Sequence, residues 1–219
     1  MAVSPRICVP IVSESQTISF VEPYADFFEV RIDLIGKNWR HIIPQLKKPW
    51  IACNRRVEEG GHWQDNENKR IKELLNALEL GAGFIDIELG MPDTSKVVQE
   101  VKGRAQLIVS SHYFTDTPPV DRLRQVVENE LAVGADICKV VTTARDLRDN
   151  AEVLELVSIF PHVKIIAFAM GIPGQISRVL SPLAGGYLTW ASAEEGRESA
   201  GGQMPAEYLR KIYHMLEDK

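Results

Sequence analysis

Short β-rich runs alternate with helical stretches along this chain, and the run count restricts the folds open to it. Eight runs stand out: 7–12, 27–34, 50–55, 84–89, 105–112, 136–143, 163–170 and 186–192. Residues 66–80 place Ile71, Leu74, Leu75 and Leu78 at helical spacing. Residues 119–133 do the same with Val120, Leu123, Val126, Val127 and Leu131, and 150–159 with Val153, Leu154, Leu156 and Val157. Strands separated by helices pair in parallel, because the crossover returns the chain to the same edge. Eight such units in 219 residues predict one domain spanning 1–219, an α/β chain folded as a single-domain (β/α)8 TIM barrel with short loops. A doubly wound open sheet usually has fewer strands and a glycine-rich first turn, and no such turn follows 7–12.

The faces of the runs point to chemistry. In 27–34, Phe28, Val30, Ile32 and Leu34 alternate with Glu29, Arg31 and Asp33. In 84–89, Ile85, Ile87 and Leu89 alternate with Asp86 and Glu88. A strand covered on both sides should read as continuously apolar. These strands therefore turn a charged face into the barrel. Arg55 and Lys139 take the same parity, and His112 ends its run on the face of Ile108 and Ser110. Ions of both signs make a poor core, because each loses hydration. A buried salt-bridge network is one reading. A site at the C-terminal strand ends is the better one.

Lys139 lies inside an otherwise apolar run, Ala135 to Val141. Desolvation there favours the neutral amine, and a neutral amine condenses with carbonyls. Nearby arginines would depress its pKa further. The alternative is a side chain that snorkels to water. His112, on the neighbouring strand, can move protons near neutral pH.

Three loops follow strands and face the predicted mouth. Arg55 to Gly61 carries Glu58 and Glu59, one of which could orient His112; Glu58 reads as solvated. Met170 to Arg178 leads into a helix one turn before Arg178, which could grip a carboxylate with both arms. Ala193 to Gln203 is long, polar and glycine-rich, as lids are, and brings Ser199 and Gln203.

Composition sets outer limits. Hydrophobic residues make up 45% and charged residues 25%, so an ordinary soluble globular chain is expected. A net charge of -5 argues against a nucleic-acid surface but leaves room for an anionic substrate among local arginines. Cys8, Cys53 and Cys138 are odd in number and sit in apolar runs, which predicts buried free thiols in a reducing, cytoplasmic compartment. No signal peptide or membrane-length apolar run is present, so no membrane partner is expected. His41, His62, His162 and His214 lack metal-ligand spacing and read as surface or packing residues.

Taken in order, these motifs resemble type I 3-dehydroquinate dehydratase, a Schiff-base hydro-lyase of the shikimate pathway. The likeness runs from the first strand to the final helix. It rests on Glu29-Val30-Arg31-Ile32-Asp33, on Arg55 through Glu59-Gly60-Gly61, and on Ser111-His112-Tyr113-Phe114. It continues with Lys139-Val140, Met170-Gly171 through Ser177-Arg178, and Ser199-Ala200-Gly201-Gly202-Gln203.

The resemblance implies syn elimination of water from 3-dehydroquinate, giving 3-dehydroshikimate on the route to chorismate and aromatic amino acids. Lys139 would form an imine with the C3 ketone. His112 would take the C2 proton and assist the other proton transfers, and Glu59 would position His112. Arg178 would bind the carboxylate. Glu29, Arg31 and Arg55 would hold ring hydroxyls, with Ser199 and Gln203 reaching in from the lid. The implied partner is this small molecule, with no metal or organic cofactor, and a homodimer through outer helices is compatible with it.

Three positions depart from the family pattern. Tyr113 stands where an aspartate is usual, Gly201 where the lid usually has proline, and Asn54 where many relatives have an aromatic. A glycine at 201 should loosen the lid. Two rival readings remain at this level. A class I aldolase would keep the lysine but predicts a phosphate grip after the seventh and eighth strands. A non-catalytic barrel binding a shikimate-pathway acid would need no reactive amine.

Overall fold

All eight runs form strands, and all pair in parallel. In the computed structural model, which describes residues 4–217, these are β1 (Ile7–Ile11), β2 (Phe27–Arg31), β3 (Trp50–Cys53), β4 (Phe84–Glu88), β5 (Gln106–His112), β6 (Ile137–Thr143), β7 (Ile165–Met170) and β8 (Thr189–Trp190). Helices lie between and around them: α1 (Ile18–Val21), α2 (Ile32–Ile35), α3 (Glu67–Glu79), α4 (Thr94–Val101), α5 (Val120–Ala132), α6 (Asp149–Ile159), α7 (Gln175–Leu183) and α8 (Ala206–Glu217). Strand order runs from β7 down to β1 and then to β8. One backbone bond, Tyr187 N–H to Ile165 O at 2.6 Å, spans the β7–β8 seam of this nearly closed barrel.

Side-chain parity sorts the core into two compartments. Phe28, Val30, Ala52, Ile85, Ile87 and Val109 point outward and pack with Leu74, Ala77, Val97 and Val101 of the helices. Cys138, Val140 and Ala167 do the same against Leu123, Val127, Val153 and Leu156. Inward-facing Cys8, Phe27, Ile51, Phe84, Ile108, Ile137, Ile166 and Leu188 form an apolar plug. Each such aliphatic side chain contributes roughly 1.5–3 kcal/mol on full burial. Beyond the plug, towards the C-terminal strand ends, the inward positions become Glu29, Arg31, Arg55, Asp86, Glu88, Ser110 and Lys139, all buried. The plug gives these polar groups a dry floor.

Some boundaries differ from the sequence expectation. β2 ends at Arg31, not at 34, because Asp33 turns back to accept from Arg31 Nε (2.9 Å), Arg31 Nη2 (2.7 Å) and His62 N–H (3.1 Å). That local bonding closes the helical turn α2 in place of further strand. β3 ends at Cys53, yet the Arg55 side chain still turns inward. β8 spans two residues where seven were expected, since Ser192 leaves β1, donates its N–H to Met204 O and accepts from Ala206 N–H, bridging to Pro205 on the returning chain. Helix α4 was not anticipated, although Val97, Val98 and Val101 carry its spacing.

The three cysteines are buried free thiols, and His41, His62, His162 and His214 are exposed, as their sequence contexts suggested. Among the described residues, no helix is long and apolar enough to cross a membrane.

Candidate active site

Lys139 occupies a prepared seat inside the barrel. Its Nζ lies 2.8 Å from Asp86 Oδ2 and 3.5 Å from Glu29 Oε1, and 4.1 Å from the centre of the Trp190 ring. Only 4% of the residue is exposed. Burial pulls its pKa down, but Asp86 and Glu29 more than offset this and leave it raised above the usual lysine value. This corrects the expectation that burial and arginines would release the neutral amine. Arg55 does act downward, but more weakly than the two carboxylates. These contacts favour the ammonium form of Lys139.

Asp86 holds this arrangement together. Burial opposes its ionisation, yet Arg55 and Lys139 keep its carboxyl well below the usual carboxylate range. Arg55 donates to Asp86 at 2.8 Å and to Ser110 Oγ at 2.6 Å, and lies 3.4 Å from Glu88. Glu88 is backed in turn by Arg70, fully buried on α3 and 3.1 Å away. Alternation in 84–89 had already turned Asp86 and Glu88 inward, but their tie to Lys139 and Arg55 crosses strands and left no trace in sequence. Arg70 has the period of an ordinary helical residue and was missed.

Glu29, Cys53 and Asp86 offer ligand atoms within 4.8 Å of one another, a spacing that could hold a cation. The Lys139 ammonium already contacts two of the three, and burial pushes the Cys53 thiol well up, so that it keeps its proton. These donors form a cradle for the amine.

His112 ends β5 beside this cradle, and its backbone neighbour across the ladder is Val141 of β6. Its Nδ1 lies 2.8 Å from Glu59 Oε2, which leaves Nε2 for the cavity. Burial, then Arg55 and Lys139, push its pKa well below the usual histidine value, so it is a neutral base. Burial raises the Glu59 carboxyl to about 7. Glu59 closes a short 3-10 turn capped by Gly60 at φ +74°. A Cβ on Gly60 would stand 2.7 Å from the Phe114 ring, which stacks on His112 at 6.0 Å. Glycine therefore sets both the turn and the wall behind the imidazole. Glu58 is exposed and pairs with Arg56, as the solvated reading had it.

Arg178 is the unbalanced charge of the cavity. It is 1% exposed, stands 4.3 Å over the Phe168 ring, and donates from Nη2 to Gly201 O at 3.2 Å. Among the described residues its Nε and Nη1 have no partner, and burial lowers its pKa to about 9. Arg31 has Asp33 and Arg55 has Asp86, but among the described residues Arg178 pairs with no carboxylate.

The loop from Ala193 to Gln203 lies over this residue. Gly171 N–H donates to Gly201 O at 3.0 Å, and Gln203 and Ser199 bond each other through side chains at 3.0 Å. Gly202 has φ +77°, and a Cβ there would sit 2.2 Å from Gly171 O. Gly201 tolerates a Cβ at ordinary contact distance.

All nine residues singled out in sequence line one cavity: Glu29, Arg31, Arg55, Glu59, His112, Lys139, Arg178, Ser199 and Gln203. Phe114, Phe168, Met170 and Trp190 complete its walls. Two of the departures from the family pattern point elsewhere. Tyr113 alternates with His112 and packs outward among the helices, and Asn54 donates to Arg70 O at 3.2 Å behind β3.

Comparison with known proteins agrees with this geometry. The family model described as Type I 3-dehydroquinase matches residues 7–219. A 3-dehydroquinate dehydratase of Dehalococcoides mccartyi strain BAV1 is 42% identical over 214 residues, covering 97% of this chain and 96% of its own. That of Methanocaldococcus jannaschii is 34% identical over 222 residues, covering 97% and 100%. Among solved structures, the Aquifex aeolicus 3-dehydroquinate dehydratase is similar at TM-score 0.81 and 26% identity, covering 98% of this chain and 100% of that one. The Geobacillus kaustophilus structure gives 0.87 and 25%, covering 98% and 91%.

Proposed function

The chain belongs to the type I 3-dehydroquinase family, and from that premise we propose that it dehydrates 3-dehydroquinate to 3-dehydroshikimate through an imine on Lys139. The observation that carries this reading is the shared cavity of a buried lysine, a neutral histidine and an arginine without a counter-ion.

Each group has a task. Arg178 takes the substrate carboxylate, which supplies the missing counter-ion. Glu29, Arg31 and Arg55 hold ring hydroxyls, and Ser199 and Gln203 close over them. Lys139 passes its ammonium proton to His112 and attacks the C3 carbonyl carbon, and the carbonyl pair moves to oxygen. That oxygen takes one proton from the attacking nitrogen and one back from His112 and leaves as water, and an iminium remains. The iminium withdraws electrons from C2, so His112 can take the C2 proton. The resulting enamine expels the C1 hydroxyl, which leaves as water with that proton. Hydrolysis then consumes one water and frees the amine, so the net change is loss of one water. Glu59 orients the imidazole and stabilises its protonated form.

Borohydride with 3-dehydroquinate tests the covalent step. An adduct mapped to Lys139 by intact mass and peptide mapping is expected, and Lys139→Ala should bind ligand without turnover. An adduct on Lys164, or normal turnover in Lys139→Ala, would sink it.

A further inference from the structure

Glu130 is a fully buried carboxyl that the proposed chemistry does not use. It lies on α5, outside the barrel wall, behind the strands that carry His112 and Lys139. Its Oε2 accepts the backbone N–H of Lys139 at 3.0 Å, and its Oε1 accepts from Ser111 Oγ at 2.8 Å. Other amides of this stretch go to neighbouring strands: Asp136 N–H to Leu107 O of β5, and Cys138 N–H to Lys164 O beside β7. The Lys139 amide alone of these three is handed to a side chain. Ser111 directly precedes His112, so the carboxyl reaches the backbone of one chemical residue and the neighbour of the other.

We propose that Glu130 is a positioning residue, a clamp behind the barrel wall that ties β6 at Lys139 to β5 at Ser111 and so fixes the amine relative to the imidazole. This rests on Lys139 being the amine that reacts. Burying a carboxyl is costly, and an apolar residue would pack against Val127 and Cys138 without that cost. Burial pushes its pKa well above the usual carboxylate range, and among its strongest influences none is a cationic side chain. It is held in place by two hydrogen bonds, from the Lys139 amide and the Ser111 hydroxyl. Such a clamp matters because a misplacement of about 1 Å in a reacting group can cost on the order of a hundredfold in rate.

The test uses the full chain with Glu130→Met and Glu130→Gln, each read by circular dichroism, kcat, KM and the rate of adduct formation with 3-dehydroquinate and borohydride. In Glu130→Gln the amide oxygen keeps the Lys139 bond, and the amide nitrogen can donate to Ser111 Oγ. The glutamine variant should stay near the parent. The methionine variant should lose on the order of ten- to a hundredfold in kcat and trapping rate, with KM little changed. A folded methionine variant with parental kcat and trapping rate would overturn the proposal, as would a glutamine variant equally impaired. Should Glu130→Met fail to fold, Ser111→Ala carries the comparison. Reduced kcat restored by Ser111→Thr supports the clamp, and parental kcat in Ser111→Ala overturns it. A parent that forms no adduct defeats the imine reading itself, a separate result from parental trapping in Glu130→Met.

Discussion

The Nζ of Lys139 lies 2.8 Å from Oδ2 of Asp86, a closer approach than to any other carboxylate it pairs with. Together with Glu29 this contact raises the pKa of Lys139 and favours its ammonium form. This is the opposite of a lysine activated by burial alone.

Asp86→Asn should therefore lower the pKa of Lys139. The pH profile of adduct formation with 3-dehydroquinate and borohydride should move to lower pH, and an unmoved profile would contradict the pairing. Arg55 loses its nearest counter-ion in the same variant, so the melting temperature should fall. Breaking a buried pair typically costs about 3–5 kcal/mol.

Glu59 makes stability depend on pH. Its carboxyl titrates at about 7 in the fold, against an ordinary 4.5. Below 4.5 its contribution is fully present. Between 4.5 and 7 the unfolded chain releases a proton that the fold retains, so this stability is lost as pH rises. His112 acts in the other sense: its depressed pKa gives stability above the ordinary 6.5 that is lost as pH falls. Urea unfolding of the parent and Glu59→Gln from pH 5 to 8 separates the two. The variant should lack the decline towards pH 7, and identical slopes would show that Glu59 titrates normally.

Arg178→Met should separate affinity from stability. A buried guanidinium without a carboxylate burdens the free protein, so the melting temperature should hold or rise. Losing one partner of a buried charged pair costs about 2–5 kcal/mol of binding, so KM should climb steeply. A variant with parental KM would rule out Arg178 as the carboxylate grip.

The two lid glycines should respond differently. Gly202→Ala places a Cβ 2.2 Å from Gly171 O at φ +77°, so closure should fail and both kcat and KM should suffer. Gly201→Ala meets only ordinary contacts and removes unfolded freedom, a gain of about 0.4–1 kcal/mol where the backbone suits. Steady-state kinetics of both variants decide it. Equal damage in the two would mean that the lid does not close in this way.

Legibility in the sequence followed the range of the interaction. Parity within one strand is local, and it correctly turned Glu29, Arg31, Asp86, Glu88 and Lys139 inward and Phe28, Val30, Ile85 and Ile87 outward. Asp33 broke that parity because a bond from Arg31, two residues away, outweighed strand continuation. The partnership of Arg70 with Glu88 and that of Glu130 with Ser111 were illegible, since each joins a helix to a strand by side chains alone.

Alternation and helical spacing by themselves determined eight parallel strands, an apolar outer face and a charged inner one, because these depend on backbone geometry repeated along the chain. Only the tertiary structure decided the protonation of Lys139. Burial pulls its pKa one way and Asp86 and Glu29 the other, and the winner is set by distances of 2.8 and 3.5 Å that exist only once β2, β4 and β6 close around a common centre.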